Sequence, residues 1–366
     1  MHTSDTTALE STRPVPDTKA DSVSTAETVT ALEVVLPGIV APEALELRHR
    51  TLPPVGPGQV RLAVEATGVS AAERAMRRGK YYGQPPFPFV PGYDLVGTVT
   101  RTGAGVEPTL VGQRYAALTK VGGWASDVIL DAADLVRVPD GVDPVEAETL
   151  VVNGITAWQM LHRSAKIKAG QTILVLGATG GVGSLLVQLA RLAGVTVIGT
   201  ASARNQDALV ALGAIPIDYA APDLTRRVKE LAPDGVDAVF DHIGGPGIAI
   251  SFGLLARHGT LVAYSALSSL ESPGTFLVPV LKLMARLFWW NVLPNGRQAT
   301  FYNIWAGRGT PDFRDRLRTD LSTILELLGQ GKVRPLVAAR MPLAEAASAL
   351  ALLESHTVTG KVVLVP

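Results

Sequence analysis

Gly177-Ala178-Thr179-Gly180-Gly181-Val182-Gly183 is the stretch that decides how this chain folds. A strand-like apolar run, Thr172-Ile173-Leu174-Val175-Leu176, precedes it, and a helix-like run from Ser184 to Leu192 follows. A glycine turn between a buried strand and a helix start presents backbone N–H groups and the positive end of the helix dipole to an anion. Glycine also lets a pyrophosphate come close to the backbone. In the Gly-x-Gly-x-x-Gly register the first glycine is Ala178, so the match reads Ala-x-Gly-x-x-Gly with Gly177 just upstream. With its strand and helix context in place, the pattern predicts a phosphate-binding turn made by Ala178, Thr179, Gly180, Gly181, Val182 and Gly183.

The same alternation continues downstream. A helical pattern over Val145–Arg163 precedes the turn, and strand-like runs at Val195–Thr200, Pro216–Tyr219, Val236–Asp241 and Thr260–Tyr264 alternate with helical ones at Asn205–Leu212, Leu224–Leu231 and Gly247–Arg257. Strand–helix alternation predicts a parallel sheet with right-handed crossovers. Ligands of such sheets sit off the carboxyl ends of the strands, here loops 177–183, 200–206, 241–246 and 264–270. Arg297–Trp305 is a last strand candidate, and Phe313–Leu328, Leu343–Leu353 and Lys361–Val365 read as helix, helix and strand. Upstream, short strands separated by Pro/Gly turns run through Leu32–Leu36, Ala44–Arg48, Gln59–Ala66, Leu95–Arg101, Arg114–Leu118 and Ser126–Val136, with a short helix over Ser70–Gly79. That punctuation predicts a β-barrel-like domain.

Composition narrows the function. The 366 residues are 47% hydrophobic and carry a formal net charge of zero, so the chain packs a large core and has no basic excess for nucleic acid or anionic lipid. The absence of cysteine removes disulfides, thiolate zinc ligands and a cysteine nucleophile together. Residues 1–30 read as a disordered tail with no apolar signal region, and a cytoplasmic protein is expected. Phe276–Leu293 is the most apolar stretch, but Lys282 and Arg286 in its middle and the flanking prolines argue against a membrane span. A lid over an apolar pocket or a subunit contact fits it better.

The order of elements, together with Gly92-Tyr93-Asp94-Leu95-Val96-Gly97, Thr156-Ala157-Trp158, the glycine turn, Asp241-His242-Ile243-Gly244-Gly245 and Thr359-Gly360-Lys361-Val362-Val363-Leu364, resembles the medium-chain dehydrogenase/reductase superfamily in its zinc-independent, quinone-oxidoreductase-like branch. The resemblance implies an α/β chain of two domains. These are a GroES-like β-barrel catalytic domain (31–152 and 306–366) and a Rossmann domain (153–305), the latter a doubly wound parallel sheet. It implies no metal site, because Tyr93 stands where the zinc branch has histidine. It implies NADPH-dependent reduction of quinones or of α,β-unsaturated carbonyl double bonds. Tyr81 looks like the tyrosine that reaches the active site in this branch, and Ser70 sits where many of its members carry asparagine. Thr156, Lys361 and Asn303 are expected near the nicotinamide, as are His242, Ile243, Tyr264 and Ser265 in their loops. For the adenosine end, the strand end Gly199–Arg204 lacks the acid that NAD recognition commonly uses, and Asp207 already lies inside the next helix. Ser202 and Arg204 offer a hydroxyl and a guanidinium suited to a 2′-phosphate, with Tyr219 beside them, so NADPH is expected over NADH. A homodimer through 298–305 is expected. Two alternatives stay open: a cyclase or isomerase on the same scaffold, and a membrane-associated binding protein.

Overall fold

The computed structural model describes residues 28–265, 277–355 and 357–366. The expected tail and the loop beyond Ser265 fall largely outside these residues. The described chain opens with an antiparallel hairpin, β1 (Thr30–Val35) and β2 (Glu46–Thr51). A long strand follows, β3 (Gln59–Val69), whose first half alternates as a half-buried strand should, with Val60, Leu62, Val64 and Ala66 inside. Helix α1 (Ala71–Arg77) comes next, then β4 (Asp94–Thr102), β5 (Arg114–Leu118), β6 (Asp127–Asp131) and the short β7 (Val136–Arg137). The predicted run Ser126–Val136 is thus two strands, because Ala132–Asp134 turns as a short 3₁₀ helix between them.

Helix α2 (Pro144–Gln159) starts where Asp143 caps it, accepting from the Val145 and Glu146 N–H groups at 2.9 and 3.1 Å, with Pro144 in the first turn. The parallel sheet then builds from β8 (Thr172–Val175), α3 (Gly181–Leu192), β9 (Thr196–Ala201), α4 (Gln206–Leu212), β10 (Ile215–Asp218), α5 (Leu224–Leu231), β11 (Val236–Asp241), α6 (Ile248–Gly253) and β12 (Leu255–Ala263). Helix α6 is shorter than expected, and the strand begins at Leu255, not Thr260. Gly235 lies so close to Leu255 and Ala256 that a side chain there would overlap their backbone, which ties this stretch to the sheet. Helix α7 (Leu277–Val292) and β13 (Gln298–Phe301) complete the unit. Strand β13 covers only the start of the expected run, since Asn303 turns the chain by accepting the Trp305 N–H at 3.0 Å.

Among the described residues this sheet has the order β10-β9-β8-β11-β12-β13, all parallel. The direction of winding reverses between β8 and β11, and the crevice at their carboxyl ends is where a doubly wound sheet takes its ligand. Ile173, Leu174 and Val175 are fully buried, as a central parallel strand requires, and each such side chain contributes roughly 1.5–3 kcal/mol by burial. The chain then returns through α8 (Pro311–Gly329), β14 (Val337–Pro342), α9 (Ala346–Glu354) and β15 (Lys361–Val365). The last two strands join the first half in a second sheet, β14-β15-β3-β4-β5-β7 with β6 on β3. Among the described residues no helix is long and apolar enough to cross a membrane. Helix α7 buries Leu283 and Leu287 and exposes Val278, Leu281, Phe288, Trp289 and Val292.

Candidate active site

The glycine turn forms as its sequence predicts. Gly177 holds a left-handed φ of 62°, and a side chain there would overlap the His242 ring. A side chain at Gly183 would overlap the Gly177 carbonyl oxygen, so the first turn of α3 rests directly on the backbone of the loop. Thr200, at the end of β9, fixes the turn: its hydroxyl accepts the Gly177 N–H at 3.1 Å and its carbonyl the Ala178 N–H at 2.9 Å. Gly180 is the N-cap of α3, and no side chain caps that helix. Its first N–H groups therefore remain open to an anion. Ala178 and Thr179 are buried, Gly181 and Val182 half-buried, and Gly180 faces solvent. This cradle, closed to a side chain at Gly177 and Gly183 and uncapped, fits the diphosphate of a dinucleotide.

Three further loops meet it. Gly360 donates to the Thr179 carbonyl at 3.3 Å, and Thr359 reaches Asn205, so the chain just before β15 lies against the turn. Beyond β9, Ser202 is half-buried and Arg204 exposed, and the Tyr219 N–H bonds the Ala201 carbonyl at 3.1 Å, which brings Tyr219 beside this strand end. Beyond β11, the Asp241 carboxylate accepts from the Ile243 and Gly244 N–H groups at 2.8 and 2.9 Å and from the Ser251 hydroxyl at 2.7 Å, which sets the loop carrying His242. Burial holds the His242 imidazole below its ordinary pKa against the nearby Asp241 charge, and its Nδ1 is buried without a partner. The ring lies 5.9 Å from that of Tyr264, at the end of β12 next to Ser265. The His242 ring packs directly under Gly177.

A second cluster, the aromatic wall, brings together residues distant in the chain. The Tyr81 and Tyr93 hydroxyls are 2.6 Å apart, and the Trp305 indole N–H donates to the Tyr93 hydroxyl. Tyr93 accepts from Trp305, and either phenol of the Tyr81–Tyr93 pair could be the donor; with Tyr93 donating, the Tyr81 proton is left to point onward. Burial raises the pKa of both phenols, so both are protonated donors near neutral pH. Ser70 differs from expectation. It caps α1 in a box with Glu73, its hydroxyl donating to Oε2 at 2.5 Å while accepting the Ala72 N–H at 3.1 Å. Its hydroxyl is therefore engaged in helix capping. The Glu73 carboxyl, fully buried and near the Asp94 charge, is pushed up to about 7.

Lys361 is also corrected. Its ammonium is buried between Asp94 at 2.6 Å and Glu148 at 2.7 Å, so it ties β15 to β4 and α2 instead of facing the cleft. Burial opposes its charge, but the two carboxylates outweigh this and raise its pKa. A side chain at Gly68 would overlap this lysine. Asn303 is exposed at its turn, and Thr156 is buried on α2. One turn earlier, Asn153 packs its amide against Gly181. Sequence reasoning missed Asn153, although a polar residue on a buried helix face one turn before Thr156 was a usable signal. Trp305 carried no local signal, because its partner lies 212 positions away.

Two family models match the chain: alcohol dehydrogenase GroES-like domain over residues 56–140, and zinc-binding dehydrogenase over 212–364. The synaptic vesicle membrane protein VAT-1 homolog of Rattus norvegicus is 34% identical over 345 residues, spanning 91% of this chain and 83% of that protein. The chain is a medium-chain dehydrogenase/reductase. Within that superfamily it falls in the quinone-oxidoreductase-like branch, as an oxidoreductase. A quinone oxidoreductase of Pseudomonas syringae superposes with a TM-score of 0.80 at 27% identity, covering 92% of this chain and all of that one. A mycobacterial protein solved with NADPH gives 0.77 at 27%, with the same coverage. A mycocerosic acid synthase-like polyketide synthase of Mycobacterium tuberculosis is 29% identical over 349 residues, which cover 93% of this chain but 16% of that much longer protein. Despite the name of the second family model, no group of three metal-ligating side chains occurs among the described residues of this dehydrogenase/reductase.

Proposed function

We infer that the protein is a zinc-independent, NADPH-dependent reductase of quinones or α,β-unsaturated carbonyl compounds. The Trp305–Tyr93–Tyr81 hydrogen-bond chain carries this reading. Bound NADPH supplies a hydride to an electron-poor carbon. The chain's own contribution is a neutral phenol, Tyr81, oriented from behind, that donates a hydrogen bond where negative charge develops on the substrate oxygen. A preorganised donor suffices for substrates already activated by conjugation, which need no Lewis acid. The open amides of Gly181 to Gly183 would hold the diphosphate, and Ser202, Arg204 and Tyr219 the 2′-phosphate. Thr156 and the Tyr264–Ser265 strand end would border the nicotinamide. Initial rates of NADPH oxidation with a panel of quinones and enones test the reading; no turnover with any of them would remove it.

We further propose a cytoplasmic homodimer, formed through β13, the outer strand of the parallel sheet, where Phe301 is exposed. Light scattering checks it. The exposed Leu281, Phe288, Trp289 and Val292 of α7 favour a second reading, attachment to a membrane surface, which co-sedimentation with liposomes would detect.

A further inference from the structure

Among the described residues, two cations sit on aromatic rings without forming an ion pair. The Lys120 ammonium lies 5.9 Å from the centre of the Tyr81 ring, and the Arg308 guanidinium 5.0 Å from that of Trp305. Among the described residues neither is paired with a carboxylate, whereas nearby Arg314 bonds Asp134 at 2.7 Å and Arg318 reaches Asp315. The backbone holds Lys120 in place: Thr119 and Lys120 both donate to the Tyr93 carbonyl, at 2.9 and 3.0 Å. Lys120 also has a φ of 68°, a left-handed conformation that side-chain-bearing residues rarely adopt. Partial burial, then the Arg308 charge, hold its ammonium below the ordinary value. Like charges held together in this way cost free energy that an anion placed between them offsets.

Arg308 and Trp305 also line a cavity of about 490 Å³, whose other walls include Leu118, Ile155, Phe313 and Leu317. That volume suits a small organic molecule; the lining also carries Thr310, Arg318 and Asp134, the last of which is paired with Arg314 at 2.7 Å. Trp305 joins the cavity to the tyrosines: it lines the cavity with Arg308 and donates to the Tyr93 hydroxyl, which in turn meets that of Tyr81.

We propose that Lys120 and Arg308 bind an oxyanion carried by the substrate, whose apolar body fills the cavity beside Trp305. This rests on the reductase reading for the identity of the site. It narrows the substrates to acidic amphiphiles, quinones or unsaturated acyl compounds that bear a carboxylate, sulfonate or phosphate.

Calorimetric titration of the full chain, with NADP+ present so that no hydride is transferred, tests this with two matched pairs. One pair is a neutral naphthoquinone and its sulfonated form; the other is crotonyl-N-acetylcysteamine and crotonyl-coenzyme A. The anionic member of at least one pair binds about tenfold more tightly or better, a charge-assisted contact. Which pair discriminates separates a simple acid from a phosphate. Arg308→Gln and Lys120→Gln remove the preference and leave the neutral member's Kd and that of NADP+ unchanged. Equal affinities within both pairs would overturn the proposal, as would a loss in the variants shared by neutral ligands or by NADP+. Parallel rate measurements separate the two claims: discrimination in binding without NADPH-dependent turnover strikes the reductase reading alone.

Discussion

The two walls of the cleft are built in opposite ways. The cofactor wall is local: seven consecutive residues make the turn, and Thr200, one strand away, fixes it. The aromatic wall is assembled from Tyr81, Tyr93, Lys120 and the turn that carries Trp305 and Arg308, four separate segments. The first recognises a diphosphate and adenosine common to many enzymes, so a short backbone motif suffices. The second, on the reading proposed above, meets the substrate, and its side chains come together only through long-range contacts. On this view, lesions in the structural layer beneath the walls should affect folding, lesions in the aromatic wall should affect rate, and lesions at the adenosine end should affect cofactor choice.

The largest effect is expected beneath both walls. Lys361→Met leaves Asp94 and Glu148 buried without their counter-charge, and removing one partner of such a cluster typically costs about 3–5 kcal/mol. Denaturant unfolding should show that loss, while the NADPH affinity of the folded fraction stays unchanged. A fall in affinity without a fall in stability would return Lys361 to the cofactor wall. Next, Tyr81→Phe should lower the reduction rate about 10²-fold, the scale of one positioned proton donor. Tyr93→Phe should act in the same direction and more weakly, because it only orients Tyr81.

Smaller still, Arg204→Ala should cut the NADPH-over-NADH preference in kcat/KM by about tenfold, with NADH values little changed. A separate effect, read in stability against pH and not in activity, concerns Glu73. Its carboxyl titrates near 7 in the folded protein and near 4.5 in the unfolded one, so the native state binds the extra proton between those values. Its stabilising contribution is complete below the lower value and is lost as pH rises through the upper one. Wild type should therefore lose Tm relative to Glu73→Gln between about pH 5 and about pH 8, while the glutamine preserves the capping box. Parallel Tm profiles would show that Glu73 is ionised throughout.

Most of the fold was legible because its determinants are local. The glycine turn, the Val236–Asp241 and Lys361–Val365 strands and the α2 helix announce themselves by periodicity and punctuation. Errors arose where packing overrode pattern. Helix α6 yields to a strand at Leu255, and Asn303 ends β13 early by closing a turn. At the site, Ser70 and Lys361 occupy the expected segments, but their side chains are engaged by Glu73 and by the Asp94–Glu148 pair. A sequence reveals that a lysine is present; it does not reveal which carboxylates surround it after folding. Trp305 and Arg308 were invisible for the same reason, since only the folded chain brings them to Tyr93.

The division of labour between the walls is tested most directly by measuring NADPH binding and single-turnover reduction on the same preparations of wild type and Tyr81→Phe. The account predicts one shared NADPH Kd and a reduction step about 10²-fold slower in the variant. Equal single-turnover rates, or no NADPH binding by either protein, would contradict it.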